Sequence, residues 1–516
     1  RNMVAKNRWC TWWGDQLVRQ DVDACYLVNK TNGKETKLFG INDINQWIAP
    51  TKDVKVRALY NARFPFAGKS IVMVSNGSKT YTVDFRKHRL ISELEFQEGE
   101  DLLEANTQQN AFAYLKGSNL YVRTFNAAPE NAMTKEKKSH DFQLSADGSR
   151  EIVYGQSVHR DEFGISKGTF WSPNGERLAF YRMDQSMVTD YPQVNIPEIG
   201  FDHPETQSCI ATPAPDKYPM AGETSHQVTV GVFDCLTGKT IYLKAGDPTD
   251  RYFTNIAWSP DSKTVYMFEV NRDQNDSRLT AYDAETGEKT GELYRETDEK
   301  YVEPLHPIMF LPWDSNRFIM QSRKDGYNHL YLCTLGKHGS RMASNTESLD
   351  IRQLTSGKWE VMEVLGFNRK RKSIIIASNE CSPIQRNIFL VDTQTGKRTM
   401  MDDCGKGWHN ATLSESGQFV YDNYSTPDVP RKIAIVNTEN GKRTAYFTAE
   451  NPWKGYNVPE YSCGTVKAAD GETDLYWRMV KPTNFDPAKK YPTIIYVYGG
   501  PPVSYTHLTL PTIYSV

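Results

Sequence analysis

The sequence is poor in features that mark several common protein classes. Only eight cysteines occur in 516 residues, and none of them forms a CxxC pair or a metal-ligand spacing. Cysteines this dilute do not make a disulfide framework, and they favour buried, unreactive thiols. Only Cys10 and Cys25 are placed to face one another across neighbouring strands.

Charge of one sign and long apolar runs are also lacking. Lys and Arg number 61 against 63 Asp and Glu, so the formal charge of −2 provides no basic field for nucleic acid. Mean hydropathy is −0.61, and no apolar run reaches the length of a bilayer span. There is no HExxH, EF-hand loop or phosphate-binding glycine loop. We therefore predict neither a metal nor a nucleotide cofactor.

Aromatic residues, by contrast, are abundant. They make up 12% of the chain, with 28 Tyr and 11 Trp. Aromatic side chains suit the half-buried, pleated surface of a sheet, whereas helical periodicity is nearly absent from this sequence. The composition therefore favours an all-β protein, and the length exceeds that of one ordinary domain.

Two sequence marks repeat along the chain. One is a turn, seen as "FDCLTGKT", "YDAETGEKT" and "VDTQTGKRT", and it recurs at Gly238, Gly287, Gly336, Gly396 and Gly441. The other precedes it, as in "FWSPNGERLAFYR" (170–182) and "AWSPDSKTVYMFEV" (257–270). A period of about 45 to 60 residues with four short strands per unit is typical of a β-propeller. We predict about seven to eight four-stranded blades over residues 1–455.

One segment breaks this rhythm. Residues 185–226, which include "TDYPQVNIPEIGFDHPETQS", separate two marks that would otherwise be neighbours. Loops this long in a compact domain are usually functional or mobile. We interpret the segment as an excursion from one blade.

Two candidate chemical motifs have ordinary structural explanations. "GISKG" (164–168) matches the Gly-x-Ser-x-Gly nucleophile elbow, but the exit "TFWSP" is a strand where the elbow requires a helix. Ser166 is therefore not predicted to be a nucleophile. His329 alternates with Leu330 and Leu332 in a strand pattern, which predicts a hydrogen-bonded structural histidine.

A charged cluster lies shortly before the repeated mark "FWSPNGERLAFYR" (170–182). "YGQSVHRDEFG" (154–164) places Arg160, Asp161 and Glu162 directly before an aromatic-glycine step. Such a cluster is commonly a solvated loop. Alternatively, it holds a carboxylate at the mouth of a cavity, where it binds a cation such as the α-ammonium group of a peptide. The residues alone leave both interpretations open.

Several motifs together resemble a known family. "VHRDEFGISKGTFWSPNGERLAFYRMDQSMV", "YPMAGETSHQVTVGVFD", "FTNIAWSPDSKTVYMFEVNRDQN" and "SRKDGYNHLYL" are similar to the propeller of the dipeptidyl peptidase IV branch of the prolyl oligopeptidase family. The resemblance is greatest to bacterial prolyl tripeptidyl peptidases. "YPTIIYVYGGP" ends a stretch, 456–501, that resembles the truncated first strands of the family's α/β-hydrolase domain, with a strand running into a Gly-Gly-Pro turn.

The resemblance implies a serine exopeptidase that releases N-terminal di- or tripeptides after proline. Glu162 matches the glutamate that grips the substrate's α-ammonium group, with Asp161 beside it, and Tyr498 matches the tyrosine of the oxyanion hole. Strict dipeptidyl peptidases carry two adjacent glutamates here and an arginine from an earlier blade. This chain has Asp161-Glu162 and no matching arginine, so the resemblance favours the release of tripeptides. The family's catalytic Ser, Asp and His follow the "YGGP" turn, and we expect this chain alone to be inactive.

The resemblance also implies the setting. The expected partners are peptide substrates with a free N-terminus and a proline near it, and a homodimer of the full-length parent is compatible with the family. The expected location is the periplasm or the cell surface. The alternatives are a non-catalytic propeller that binds proteins, or an inactive peptidase homologue. Residues 502–516, which include "VSYTHLTLPT", match translated library-adapter sequence and are expected to be non-native.

Overall fold

The chain is built almost entirely of β-strands. The computed structural model describes residues 3–48, 55–126, 139–196, 210–336 and 349–497. Within these residues, one α-helix (α1, Ile41–Ile48) and one 3-10 helix (His159–Gly164) accompany the strands. No helix in this described part is long and apolar enough to cross a membrane.

The strands follow one another as short antiparallel ladders. The first twenty are β1 (Cys10–Trp13), β2 (Gln16–Gln20), β3 (Ala24–Val28), β4 (Glu35–Gly40), β5 (Ile71–Asn76), β6 (Lys79–Asp84), β7 (Arg89–Glu95), β8 (Glu100–Ala105), β9 (Ala111–Lys116), β10 (Asn119–Phe125), β11 (Ser139–Gln143), β12 (Ile152–Tyr154), β13 (Thr169–Trp171), β14 (Arg177–Asp184), β15 (Asp190–Tyr191), β16 (Val194–Asn195), β17 (Thr212–Pro213), β18 (Asp216–Lys217), β19 (Gln227–Asp234) and β20 (Lys239–Tyr242). The others are β21 (Arg251–Trp258), β22 (Thr264–Asn271), β23 (Asp276–Asp283), β24 (Lys289–Thr297), β25 (Met309–Leu311), β26 (Asp314–Ser322), β27 (His329–Thr334), β28 (Asp350–Gln353), β29 (Val361–Asn368), β30 (Ser373–Ser378), β31 (Asn387–Asp392), β32 (Arg398–Met400), β33 (Trp408–Leu413), β34 (Phe419–Ser425), β35 (Lys432–Asn437), β36 (Arg443–Thr448), β37 (Glu460–Lys467) and β38 (Asp474–Lys481).

Eight of the sheets are successive meanders. They are β1–β4, β5–β7, β8–β11, β12 to β14 with β19 and β20, β21–β24, β25–β28, β29–β32 and β33–β36. Neighbouring strands pair antiparallel in each, which is the construction of a propeller blade, and in the fourth sheet both β12 and β13 pair with β14. The predicted all-β propeller is confirmed, with eight blades among the described residues. The strands β37 and β38 form a separate two-stranded sheet.

The described residues divide into two compact units. One takes in Tyr26–Lys37 and the described parts of Arg1–Gln20 and Gly357–Val516, and the other takes in Asp21–Cys25 and the described parts of Leu38–Ser356. In the second unit, core clusters lie between neighbouring blades, as where Tyr181 and Val230 pack with Val265 and Tyr282. In the first unit, Leu17 and Val28 pack with Tyr421, Ile433 and Ile435.

The repeated turn signature has a local physical cause. In the turn after β23, the Oδ1 atom of Asp283 accepts hydrogen bonds from the backbone N–H groups of Glu285 and Thr286, at 3.0 and 2.8 Å. Gly287 then takes φ +75°, where a Cβ would lie 2.5 Å from the carbonyl oxygen of Tyr242. The Asp-x-x-Thr-Gly pattern therefore encodes a side-chain-capped turn that only glycine closes without strain.

The repeated tryptophan joins neighbouring blades. Trp258 Nε1 donates to the carbonyl oxygen of Phe170 at 3.0 Å, and Trp171 Nε1 donates to that of Glu104 at 3.3 Å. Trp258 lies on β21 of the fifth blade and Trp171 on β13 of the fourth, and each bond reaches the preceding blade. The tryptophan of the mark therefore serves as a contact between neighbouring blades at both positions.

The predicted excursion is an arm from the fourth blade. The chain leaves β14, and β15 pairs with β18 and β16 with β17 before β19 rejoins the blade. We call the ladder of β15 with β18 and the residue that follows it, Tyr218, the arm base. Within the described residues, these two short ladders pair part of the backbone of the segment that interrupts the repeat.

Two details differ from the sequence prediction or qualify it. The strand expected at the "TIIYVYGG" segment does not form: the described residues up to Val497 lie in no regular element, and Ile494 to Val497 are at least 80% exposed. No described strand pairs with this segment, and an extended chain without a partner leaves its backbone groups to water. Cys10 is a half-buried free thiol, and Cys25 is buried.

Candidate functional site

The charged cluster lies on an unusual turn. Residues His159–Gly164, which we call the Glu162 turn, connect β12 to β13. His159, Arg160, Asp161 and Phe163 all have φ between 52° and 63°, whereas Glu162 is extended with φ −57° and ψ 155°. Left-handed backbone is uncommon for residues other than glycine, and such strain collects at functional sites.

Phe163 anchors this turn in the core. Its ring is buried and lies 5.1 Å from that of Tyr252, in a cluster with Val270 and Val302. The amide of Asn255 donates to the carbonyl oxygen of Phe163 at 3.0 Å. The strained backbone is therefore held by apolar packing on one side and a buried hydrogen bond on the other.

Gly164 closes the turn against another loop. Its φ is +72°, and a Cβ at this position would lie 2.5 Å from the carbonyl oxygen of Leu305. A side chain would therefore have to displace backbone. The glycine after the aromatic residue is thus required by both conformation and space.

His159 supports the turn without adding charge. Its Nε2 accepts a hydrogen bond from the backbone N–H of Phe253 at 3.4 Å, and its ring centroid lies 4.9 Å from that of Tyr252. Burial, together with the nearby His226, lowers the pKa of His159 to about 3. The imidazole is therefore neutral at physiological pH, and the nearest histidine does not neutralise Glu162.

Glu162 presents an unpaired carboxylate. The side chain is exposed, and no hydrogen bond or ion pair joins it to any residue in the described part of the chain. Partial desolvation raises the pKa of this carboxyl group above its ordinary value. A carboxylate without a partner, on a rigid turn, is free to accept hydrogen bonds from a cation brought to it.

The two residues before Glu162 are committed elsewhere. The Ser157 hydroxyl donates to the Asp161 carboxylate. Arg160 Nη1 donates to Asp216 Oδ2 at 2.6 Å, and its guanidinium lies 4.5 Å from the ring centroid of Tyr218. The charged cluster is therefore not a uniform solvated patch: Arg160 is ion-paired, Asp161 accepts a hydrogen bond, and the Glu162 side chain alone has neither kind of partner among the described residues.

The other candidates have clear positions. Ser166 is exposed in a loop that leads directly into β13, so no helix follows it and the elbow context is missing. His329 is fully buried, and its Nδ1 lies 3.0 Å from the hydroxyl oxygen of Thr355, which confirms a structural histidine. Tyr498 lies outside the described residues, so its predicted role stays a prediction.

Sequence reasoning missed the residues that hold the turn. Asn255, Asp216 and Tyr218 are far from Glu162 in sequence, and although Tyr218 and Asn255 lie in two of the motifs quoted above, no motif linked them to the charged cluster. The one available signal was the excursion itself, since long inserted segments in compact domains are commonly functional.

The family can now be stated. The model of the dipeptidyl peptidase IV N-terminal region matches residues 67–431. The chain belongs to this family. Among the curated relatives, "Probable dipeptidyl-aminopeptidase B" of Emericella nidulans is 25% identical over 527 residues, covering 92% of this chain and 55% of the relative. The protein of the same name from Aspergillus oryzae is 26% identical over 425 residues, covering 76% and 44%.

Solved structures agree with this assignment. A "putative dipeptidyl aminopeptidase IV" from Bacteroides ovatus has a TM-score of 0.83 and 44% identity, covering 97% of this chain and 68% of that one. Dipeptidyl peptidase 4 from Porphyromonas gingivalis, at 19% identity and a TM-score of 0.67, shares the fold, covering 94% of this chain and 66% of its own. This family member spans about half the length of the curated relatives that it matches.

Proposed function

We propose that this chain is the propeller of a serine exopeptidase that releases di- or tripeptides after proline, and that Glu162 holds the substrate's α-ammonium group. The observation that carries the proposal is the unpaired, partly desolvated carboxylate of Glu162 on the strained turn. Family membership supports it, since the matched relatives are named dipeptidyl aminopeptidases. A carboxylate at a fixed distance from the nucleophile sets how many residues separate the substrate's N-terminus from the cleaved bond. Bonds in the interior of a long chain are therefore not cleaved.

The energy available at this anchor sets the expected effect. A charge-assisted hydrogen bond to an ammonium group is worth about 1.5–3 kcal/mol. By the factor of ten per 1.4 kcal/mol, this corresponds to about 10- to 150-fold in kcat/KM. Proline at the cleavage position suits a dedicated pocket, because it removes a backbone donor and fixes φ.

Asp161 bears on the length of the released peptide. Its carboxylate accepts a hydrogen bond from the neutral Ser157 hydroxyl, whereas the Glu162 side chain has no such partner among the described residues. Asp161 in place of a second glutamate is the departure from strict dipeptidyl peptidases that favours tripeptide release, and comparing Xaa-Pro with Xaa-Xaa-Pro substrates decides it.

The hairpin β37–β38 supports the expectation of a hydrolase domain. Tyr461, Val466, Leu475 and Val480 are each between 47% and 61% exposed. Apolar side chains exposed on a two-stranded sheet suit a surface that another domain covers. In this proposal Tyr498 donates to the oxyanion, a contact whose loss typically costs about 10²–10³ in rate. In this proposal the 516-residue chain is inactive on its own, and the enzyme acts in the periplasm or at the cell surface.

The test compares Glu162→Gln with Asp161→Asn in the full-length protein. We expect Glu162→Gln to lower kcat/KM for free-amine substrates by the factor above and to leave N-acetylated substrates nearly unaffected. Asp161→Asn should have the smaller effect. An unchanged free-to-acetylated ratio in Glu162→Gln rejects the anchor. Serine-inhibitor-sensitive turnover by the 516-residue chain alone rejects its inactivity, and full-length protein without any turnover favours a binding module or inactive homologue.

A further inference from the structure

The arm base touches the Glu162 turn directly. Arg160 reaches across to the arm, where its Nη1 lies 2.6 Å from Asp216 Oδ2 and its guanidinium lies over the ring of Tyr218. A weaker bond from the same nitrogen meets the carbonyl oxygen of Lys217 at 3.4 Å. Arg160, two residues before the proposed anchor, thus makes three contacts with the arm base: two with β18 and one with Tyr218.

A second contact joins the same two elements. His226 lies where the arm returns to β19, is buried, and has its ring centroid 6.3 Å from that of His159. Burial, and then the charges of Arg160 and Arg272, lower the pKa of His226 to about 4, so the histidine pair is neutral. The Glu162 turn therefore contacts the arm twice: Arg160 forms an ion pair with Asp216, and the ring of His159 packs near that of His226.

The arm base is itself fixed to the blades. Arg150 donates to Asp190 at 2.6 Å and to the carbonyl oxygen of Pro215 at 2.8 Å. Lys217 Nζ donates to the carbonyl oxygen of Val188 at 2.8 Å, which ties the arm base to the segment between β14 and β15. Beyond the arm base, Arg272 of the fifth blade donates to the carbonyl oxygen of Glu223 at 2.8 Å, on the segment that returns to β19. The arm base is therefore a built support, and Asp216 is a defined point on it.

We propose that Asp216 is a positioning residue for substrate recognition: through Arg160 it holds the Glu162 turn so that the unpaired carboxylate faces the substrate's ammonium group. This inference rests on the proposed function for its kinetic consequence. The physical need is clear, because four non-glycine residues of the turn are left-handed and such backbone persists only where the surroundings determine it. The arm is then part of the specificity apparatus, although its residues lie far from the anchor in sequence.

The chain offers a matched control. Arg150 and Asp190 form an ion pair of the same length in the same arm base, and their side chains are each 45% exposed, against 37% and 40% for Arg160 and Asp216. The Arg150 pair does not touch the Glu162 turn. Asp216→Asn therefore removes the contact between the arm and the turn, whereas Asp190→Asn removes a contact of similar length and exposure that joins the arm to Arg150 and does not reach the turn.

The kinetic experiment uses the full-length protein and free and N-acetylated substrates. An exposed ion pair typically changes an equilibrium by a factor of about 2 to 5, so we expect Asp216→Asn to raise KM for free-amine substrates by that factor with kcat nearly unchanged. Asp216→Glu should restore most of the loss, and Asp190→Asn should change little. In the Glu162→Gln background, Asp216→Asn should have no further effect, since it acts through Glu162. An equal loss in Asp190→Asn, or a full effect in that background, overturns the proposal.

A second measurement separates this inference from the proposed function. Hydrogen exchange of the backbone amides of residues 159–165 should become faster in Asp216→Asn and stay unchanged in Asp190→Asn, whether or not Glu162 binds an ammonium group. Tyr218→Leu, which removes the ring beneath Arg160, should act in the same direction. Unchanged exchange in both variants rejects the coupling of arm and turn. Faster exchange with an unchanged KM keeps the coupling and rejects its role in recognition.

Discussion

Asn255 holds the carbonyl oxygen of Phe163 at 3.0 Å and that of Pro304 at 2.6 Å, so one side chain joins the Glu162 turn to the loop that follows β24. Asn255 has φ 55° and sits where the register of β21 against β22 shifts between Thr254 and Ala257. A bulge of this kind redirects a side chain. At Asn255 the bulge directs the side-chain amide toward the Glu162 turn.

We expect Asn255→Gly to lower the free energy of unfolding by about 1–3 kcal/mol, because two buried carbonyl oxygens lose their donor. Glycine accepts the left-handed backbone, so this variant isolates the hydrogen bonds. Asn255→Ala should lose more, since alanine adds backbone strain of about 1–2 kcal/mol. Denaturant unfolding of both variants measures the difference, and equal losses contradict the assignment of strain to this position.

Gly164→Ala tests how tightly the turn is closed. Its Cβ would meet the backbone of Leu305, whereas Gly117, with φ +60°, has nothing within 4 Å of the corresponding position. We expect Gly117→Ala to lose about 1–2 kcal/mol of unfolding free energy from conformation alone. Gly164→Ala should lose more and should also weaken discrimination for a free α-amine in the full-length protein. Similar losses in the two variants argue against the close approach.

The pKa of Glu162 predicts a pH dependence. Desolvation raises it, so the anchor becomes protonated at a higher pH than an ordinary glutamate would, and the ratio of kcat/KM for free over acetylated substrate should fall as the pH falls through that value. Taking this ratio removes the effect of any group whose ionisation changes kcat/KM equally for both substrates. Glu162→Gln should abolish this acid limb. A folded pKa above the unfolded one also means that the charge opposes folding at neutral pH, so Glu162→Gln should be no less stable there.

His409 carries a second pH dependence in a different blade. Its Nδ1 lies 2.8 Å from Asp422 and its Nε2 lies 2.8 Å from the carbonyl oxygen of Lys406, so both ring nitrogens face acceptors. Tyr424 stacks on the ring at 4.4 Å, and Cys404 and Asp402 each lie 3.9 Å from Nε2. Burial works against the charged ring, but the hydrogen bond and charge of Asp422 outweigh it, and the pKa of His409 is raised.

A raised pKa means that the stabilising contribution of His409 is fully present below the unfolded pKa of about 6.5 and is lost as the pH rises through the folded value. His409→Gln should therefore destabilise the protein more at pH 5.5 than at pH 9, as measured by denaturant unfolding. Asp422→Asn should flatten the same pH dependence. A loss from His409→Gln that is equal at both values would mean that the ring is neutral in the fold.

The repeating architecture was readable from the sequence because its causes are local. The aspartate, threonine and glycine that close the turn after β23 lie within five residues, and the tryptophan contact recurs from the fourth blade to the third and from the fifth to the fourth. The number of blades, the arm and the structural His329 follow from such patterns. The strand expected near Ile495 was wrong, because an apolar run becomes a strand only where another strand pairs with it.

The candidate site divides in the same way. The charge pattern of the sequence left the Asp161-Glu162 pair open between a solvated loop and a cation-binding carboxylate, and the family resemblance singled out Glu162. Only the tertiary structure showed that Glu162 lacks a side-chain partner among the described residues: Ser157 donates to Asp161, Asp216 pairs with Arg160, and Asn255 holds the backbone carbonyl of Phe163, directly after Glu162. The partners of Arg160 and of the turn's backbone stand about 55 to 95 residues further along the chain. A turn's chemistry is written in adjacent residues, whereas the direction of a single side chain depends on contacts that form only when distant strands pack together.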